Sequence, residues 1–262
     1  MTMAARVVAS RAGWAAFAVA GAAMIATPLL PSGRRRLASS AVVGGLAAVT
    51  AIATGRRWGA PRAAVALSTV AALTTSIEKL GAATGIPFGR YRYSGALQPT
   101  VAGVPALVPL AWFAMALPAR ETAHAALGRH SSPVARVLAG SVALAAWDLF
   151  LDPQMVAEGY WQWERPGRYR GIPGTNYLGW LATGVGLMAL LELIAPRRAN
   201  AESEAEADPA LVGLYGWMAV METVGFAAFF DDSLVAAAGG GAMLAFAAVG
   251  GWRAFRERPA RG

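Results

Sequence analysis

Acidic side chains sit where acids are costly. Glu78, Asp148, Asp152, Glu192, Glu222, Asp231 and Asp232 all lie within or at the ends of long apolar stretches. An ionisable group at membrane depth costs a few kcal/mol or more, so its presence points to a task. Asp148 and Asp152 fall in AWDLFLDP, four residues apart, on one face of a helix that Pro153 is expected to end. Two carboxyls that close resist double ionisation, so one of them keeps a proton and can act as a general acid. The bland alternative is an ion pair with Arg168 or Arg170. Glu78, in TSIEKLGAATGIPFG, comes late in an apolar stretch and points toward the same end. Its neighbour Lys79 cannot face it on a helix, so its competing role is a salt bridge to another helix. Glu222, in WMAVMETVGF, lies near mid-span. It is a fourth catalytic candidate, with an interhelical hydrogen bond as its alternative. Asp231 and Asp232 read mainly as caps of the following helix. Glu192 reads as an interface pair with Arg197 and Arg198.

Binding candidates cluster around these acids. Asn176, in GIPGTNYLGW, can cap a helix or orient a water. Trp147, Tyr160, Trp161, Trp163, Tyr169, Tyr177 and Trp180 fall near the same end, where an interfacial aromatic belt accounts for most of them. Aromatic faces also stabilise cations, so Trp147, Trp161, Trp163 and Tyr177 are substrate-binding candidates, with Arg90, Tyr91 and Tyr93 from an earlier loop. His124 and His130 lack helical metal spacing, and no metal site is expected. The chain has no cysteine, which excludes disulfides, thiolate catalysis and iron–sulfur clusters.

The elements that must position these groups are membrane helices. Of the 262 residues, 56% are hydrophobic and only 15% charged, below the roughly 25% of soluble domains. Apolar runs near 20 residues recur, and in lipid such runs are helical. The pattern predicts an all-α polytopic membrane bundle of about eight spans, at 12–31, 37–54, 63–86, 104–119, 134–152, 174–195, 210–230 and 233–252. Fusion of the last two into one broken helix would leave seven. The first run is too long for a cleaved signal and reads as an anchor. Prolines 105, 109 and 118 fall in or beside the fourth span, where neighbours must satisfy the freed carbonyls. The net charge of +8 comes from arginines that punctuate the spans, so it reads as topology and not as nucleic-acid binding. The chain reads as one membrane domain with two aromatic loops, 89–103 and 153–173, and a flexible acidic linker at 197–209. Eight alternating spans bring both loops to one membrane face. A modest basic excess assigns the opposite face, with both termini, to the cytoplasm.

The strings EKLGAATGIPFGRYRYSGALQPTVAGVPALVPLAW and AWDLFLDPQMVAEGYWQWERPGRYRGIPGTNYLGW resemble the membrane-embedded carotenoid hydratases, carotenoid biosynthesis proteins that include bisanhydrobacterioruberin hydratase and the hydratase of γ-carotene-type end groups. The likeness runs from about Glu78 to Trp180 and more weakly through METVGF to Asp231. The first two spans add nothing to it. It implies addition of water to the terminal double bond of an acyclic carotenoid end group, giving a tertiary alcohol, without a redox cofactor. The implied partners are a carotenoid from the bilayer, water and other enzymes of the pathway, in a bacterial or archaeal cell membrane. The residues fit such chemistry: Asp148 or Asp152 as acid, its partner holding water, Glu78 and Asn176 completing the polar cluster, and aromatic walls facing a carbocation. Two other readings compete. A membrane prenyltransferase would use Asp148 and Asp152 to hold Mg²⁺ and a prenyl diphosphate. A transporter or assembly subunit would use Glu78 and Glu222 as a proton path.

Overall fold

With no water to satisfy backbone amides in lipid, the apolar segments close their own hydrogen bonds as helices. The computed structural model describes residues 10–128, 130–196 and 207–256. Its helices are α1 (Arg11–Ala26), α2 (Ser32–Trp58), α3 (Ala60–Thr84), α4 (Leu107–Leu127), α5 (Pro133–Ala157), α6 (Gly174–Ile194), α7 (Pro209–Ala228) and α8 (Ser233–Arg256). Seven of these, all but α4, are long and apolar enough to cross a membrane. The protein is therefore an integral membrane helical bundle. Helices α7 and α8 are separate, joined through Phe229–Asp232, so the broken-helix alternative does not hold. Most of the acidic linker at 197–209 lies outside the described residues.

Helix α4 is the axis of the bundle. It packs against α2, α3, α5, α7 and α8, and most residues from Val108 to Ala125 are buried. It runs eight residues past the expected end at 119 because its charged turn is neutralised inside the protein. Arg120 pairs with Glu121 and, at 2.7 Å, with Glu192, and its guanidinium lies over Trp58. His124 Nε2 meets the same Glu192 at 2.8 Å. Glu192 thus pairs between helices with Arg120 and His124, where an interface pair near Arg197 and Arg198 was expected; those two arginines lie outside the described residues.

Two prolines sit inside helices, and each freed carbonyl has a hydroxyl donor. Pro118 cannot bond back to Ala114, whose carbonyl accepts from Thr50 Oγ1 on α2 at 3.0 Å. Pro153 does not end its helix. It lies inside α5, and the carbonyl of Leu149 that it frees accepts from Tyr169 Oη at 2.9 Å. Burial and the neighbouring Asp232 carboxylate push the Tyr169 phenol up to about 12, so it remains a donor. The second aromatic loop consequently begins after Ala157, not at Pro153.

The two loops lock together. Strand β1 (Tyr91–Tyr93) of the first pairs antiparallel with β4 (Trp161–Trp163) of the second, with Tyr91 opposite Trp163 and Tyr93 opposite Trp161. Between these strands, β2 (Thr100–Val101) and β3 (Val104–Pro105) form a small hairpin that leads into α4. The strand period of two turns the four aromatic rings of β1 and β4 toward the bundle and leaves Arg92 and Gln162 exposed. Phe88 wedges beneath this ribbon between Gly81 of α3 and Gly179 of α6. A Cβ at either glycine would approach the Phe88 ring within 2.8 Å, so only glycine admits the contact.

Replacing Thr50 with valine orphans the Ala114 carbonyl and is expected to cost about 1 kcal/mol, read as a lower thermal midpoint in detergent. Adding Pro118→Ala to that variant restores an amide donor to the same carbonyl, so the pair should recover most of the loss. Two additive losses would contradict the assignment.

Candidate active site

Three carboxyls from two helices meet behind the aromatic ribbon. Glu78 of α3 and Asp148 and Asp152 of α5 are 8%, 0% and 3% exposed. An unpaired buried charge costs several kcal/mol, and no arginine or lysine pairs with these three among the described residues. Their partners are aromatic and amide donors instead. Glu78 Oε2 accepts from Tyr91 Oη and, at 2.8 Å, from Tyr93 Oη, while Oε1 accepts from Trp112 Nε1 at 3.0 Å. Asp152 Oδ1 accepts from Trp161 Nε1 at 3.0 Å. Asn176 Nδ2 donates to both aspartates, at 2.8 Å to Asp148 and 2.5 Å to Asp152. A single nitrogen thus bridges the pair. Asp148 Oδ1 is buried with no donor.

Each donor is fixed by its element. Tyr91, Tyr93 and Trp161 come from the paired strands, and Asn176 from the first turn of α6 after Pro173. Trp163 Nε1 donates to the Phe88 carbonyl at 2.9 Å and ties the ribbon to the wedge. Trp112 of α4 stacks on Trp180 of α6 with centroids 3.8 Å apart and planes at 13°.

These groups enclose a cavity of about 70 Å³. Its polar lining includes Glu78, Asp152, Asn176 and Ser39, and its aromatic walls include Tyr91, Tyr93, Trp112, Trp161, Trp163 and Trp180. Asp148 stands behind Asp152 and Asn176. The space is apolar except at one carboxyl-rich patch, a shape suited to an apolar chain whose end meets an acid.

A sequence model of carotenoid biosynthesis proteins matches residues 37–247. The chain belongs to that family. The match runs from within α2 to most of α8, so it includes most of the second helix, which carried nothing in the motif strings. Bisanhydrobacterioruberin hydratase of Haloarcula japonica is 38% identical over 125 residues, covering 47% of this chain and 42% of that protein. The alignment thus spans less than half of the relative. No solved structure matches the chain.

In this family member, eight of the twelve candidate residues come together. Asp152, Glu78, Asn176, Trp161, Trp163, Tyr91 and Tyr93 line the cavity, and Asp148 backs it. The other four do not line it. Glu222 and Trp147 border a different chamber. Arg90 is exposed, and Tyr177 is half-buried beside Tyr169. Arg170 pairs with Asp232 at 2.7 Å and not with the aspartate pair, and Asp232 caps α8 through Val235 N at 3.0 Å. The interfacial-belt reading fails for Tyr160, Trp161, Trp163 and Trp180, which are buried. Trp112 was missed. Its signal was a tryptophan set deep in a run of aliphatic residues, where an indole N–H needs a partner.

Burial and the Glu78 charge hold the Tyr91 and Tyr93 phenols well above their ordinary value. A folded-state value above the unfolded one of about 10 stabilises the fold fully below that pH and loses the contribution as pH rises through it. The phenols' contribution to stability should be constant from neutral pH to about 10 and decline above. Tyr93→Phe should shallow the alkaline decline, measured by unfolding in detergent across pH. An unchanged slope would remove Tyr93 from the account.

Proposed function

We propose that the protein is a carotenoid hydratase, adding water across the terminal double bond of an acyclic carotenoid end group to give a tertiary alcohol. The observation that carries this reading is the meeting of Asp152 and Glu78 in an aromatic-walled apolar cavity, backed by Asp148, with no arginine or lysine paired to them among the described residues. Family membership and the hydratase name of the partly aligned relative support it.

Asp152 faces the cavity and is the group we assign as acid. A proton held between Asp152 and Asp148 would give the orphaned Asp148 Oδ1 its missing partner. Asp152 O–H delivers that proton to the less substituted alkene carbon. The π electrons form the new C–H bond, and the tertiary carbon becomes cationic. Water adds its oxygen to that carbon and returns a proton to the aspartate pair, which is thereby regenerated. Atoms and charge balance without a cofactor. Glu78 is a poor base, because Tyr91, Tyr93 and Trp112 donate to three of its four lone pairs. It serves better as a fixed negative charge facing the cation, in a setting already organised before reaction. The stacked Trp112 and Trp180 and the Tyr93 and Trp161 rings offer π faces to the same charge. Asn176 holds the aspartate pair in register. If both termini are cytoplasmic, the ribbon side of the cavity lies on the outer face of the cell membrane.

The test is expression in cells that accumulate an acyclic carotenoid. Pigment should gain the mass of one water per reacting end. Asp152→Asn and Asp148→Asn, still inserted, should lower the rate at least about 100-fold, the worth of a positioned general acid. Full activity in Asp152→Asn would overturn the role given to it. Unaltered pigment with the wild-type protein would overturn the reading as a whole.

A further inference from the structure

Hydration consumes water, and the walls of the carboxyl cavity are mostly aromatic and aliphatic, so water needs a way in. Two further spaces adjoin that cavity in series. A chamber of about 140 Å³ between α1, α2, α5 and α7 shares Ser39, Val43, Leu151 and Met155 with it. A pocket of about 290 Å³ then shares Gln154 and Phe230 with the chamber. This outer pocket is charged. Its walls hold the Arg35–Glu158 and Arg170–Asp232 pairs, at 2.9 Å and 2.7 Å, and Arg170 is exposed at the surface. Each shared wall carries one polar side chain, Gln154 toward the surface and Ser39 toward the carboxyls.

The middle chamber also has an apolar flank, where exposed Ile25, Leu29 and Val224 face the bilayer, so a lipid chain is the rival occupant. Its polar groups favour water. The side chains of Glu222 and Gln154 line it and make no hydrogen bond or ion pair with any described residue. Trp147 lines it too; the residue is 3% exposed and its indole Nε1–H is buried without an acceptor. A hydrocarbon tail would leave all three groups unpartnered, which costs free energy. Water accepts from the indole, donates to the carboxyl and bonds to the amide in either sense. A space of this size with several polar partners meets the requirements of internal water.

We propose that the middle chamber is a water site that supplies the carboxyl cavity. Water enters from the charged pocket past Gln154, is held by Glu222 and Trp147, and passes Ser39 to the carboxyls. The use made of this water rests on the hydratase reading; its presence rests on the chamber alone. Glu222, placed among the catalytic candidates by its position in the span, becomes a positioning residue for water, and Gln154 the polar side chain of the entrance.

The test is X-ray hydroxyl-radical labelling of the protein in lipid nanodiscs, where radicals made from water oxidise the side chains beside it. Met218 and Met188 are each 1% exposed, but only Met218 lines the chamber. Met218 should therefore be labelled about tenfold faster than Met188, and Trp147 should be labelled with it. Glu222→Leu and Gln154→Leu should each lower labelling of Met218 and Trp147 about fivefold or more, with Met188 reporting that the fold is kept. In the same preparations, hydration of an acyclic carotenoid should fall about tenfold in kcat with little change in KM, since pigment binding is untouched. Equal labelling of Met218 and Met188 in the wild type means a dry chamber and overturns the proposal. Labelling unchanged in both variants overturns the roles given to Glu222 and Gln154. Labelling lost with kcat intact means that the water does not feed the reaction, which overturns the supply. If the wild-type protein leaves the pigment unaltered while the labelling pattern holds, the hydratase reading fails and the water site stands.

Discussion

The structure depends on keeping Glu78, Asp148 and Asp152 inside a membrane protein with no arginine or lysine paired to them among the described residues. A carboxylate in a low-dielectric setting needs donors, and here they are the phenols of Tyr91 and Tyr93, the indoles of Trp112 and Trp161 and the amide of Asn176. Donors of this kind keep a negative charge tolerable without cancelling it. An arginine would have neutralised the site and weakened any attraction for a carbocation. The charges elsewhere are handled differently. Arg120, Glu121, His124 and Glu192 compensate one another inside the bundle, and Arg35 pairs with Glu158 and Arg170 with Asp232 near the ribbon.

Much of the fold follows from supplying those donors. The phenols and one indole come from loops, and loop side chains are held accurately only when the loops are fixed. Pairing β1 with β4 does that, and the Phe88 wedge between Gly81 and Gly179 presses the ribbon onto α3 and α6. The same economy appears in α5. Tyr169 from the second loop satisfies the carbonyl freed by Pro153, so the helix continues past Asp152 and both aspartates keep one face. Helix α4 brings Trp112 to Glu78 from the centre of the bundle. The packing around α4 and the organisation of the site are one arrangement.

The helices were legible because their signal is local: apolar runs of membrane length, broken by arginines. The Asp148–Asp152 face was legible for the same reason, since four residues is one helical turn. The approach of Glu78 could be anticipated only as a shared membrane face; that Tyr91 and Tyr93 would cap it depends on strand pairing between residues about 70 apart, which no local pattern encodes. Pro153 misled because its cost is real in isolation, and its remedy is a tyrosine 16 residues further along the chain. Glu222 misled because depth in a span marks an acid as functional without saying which cavity it faces. The aromatics misled in the opposite direction, since a belt at the membrane surface and a buried cavity wall share one composition.

The position of the pigment's reacting end decides whether the carboxyl cavity is the place of reaction. An experimental structure of the protein with an acyclic carotenoid in lipid measures that directly. It should show the terminal double bond against an Asp152 carboxyl oxygen, with its more substituted carbon between Glu78 and the Trp112–Trp180 stack. An end group resting on the outer surface of the bundle, or one that reaches the carboxyl cavity only with its polyene middle, would contradict it.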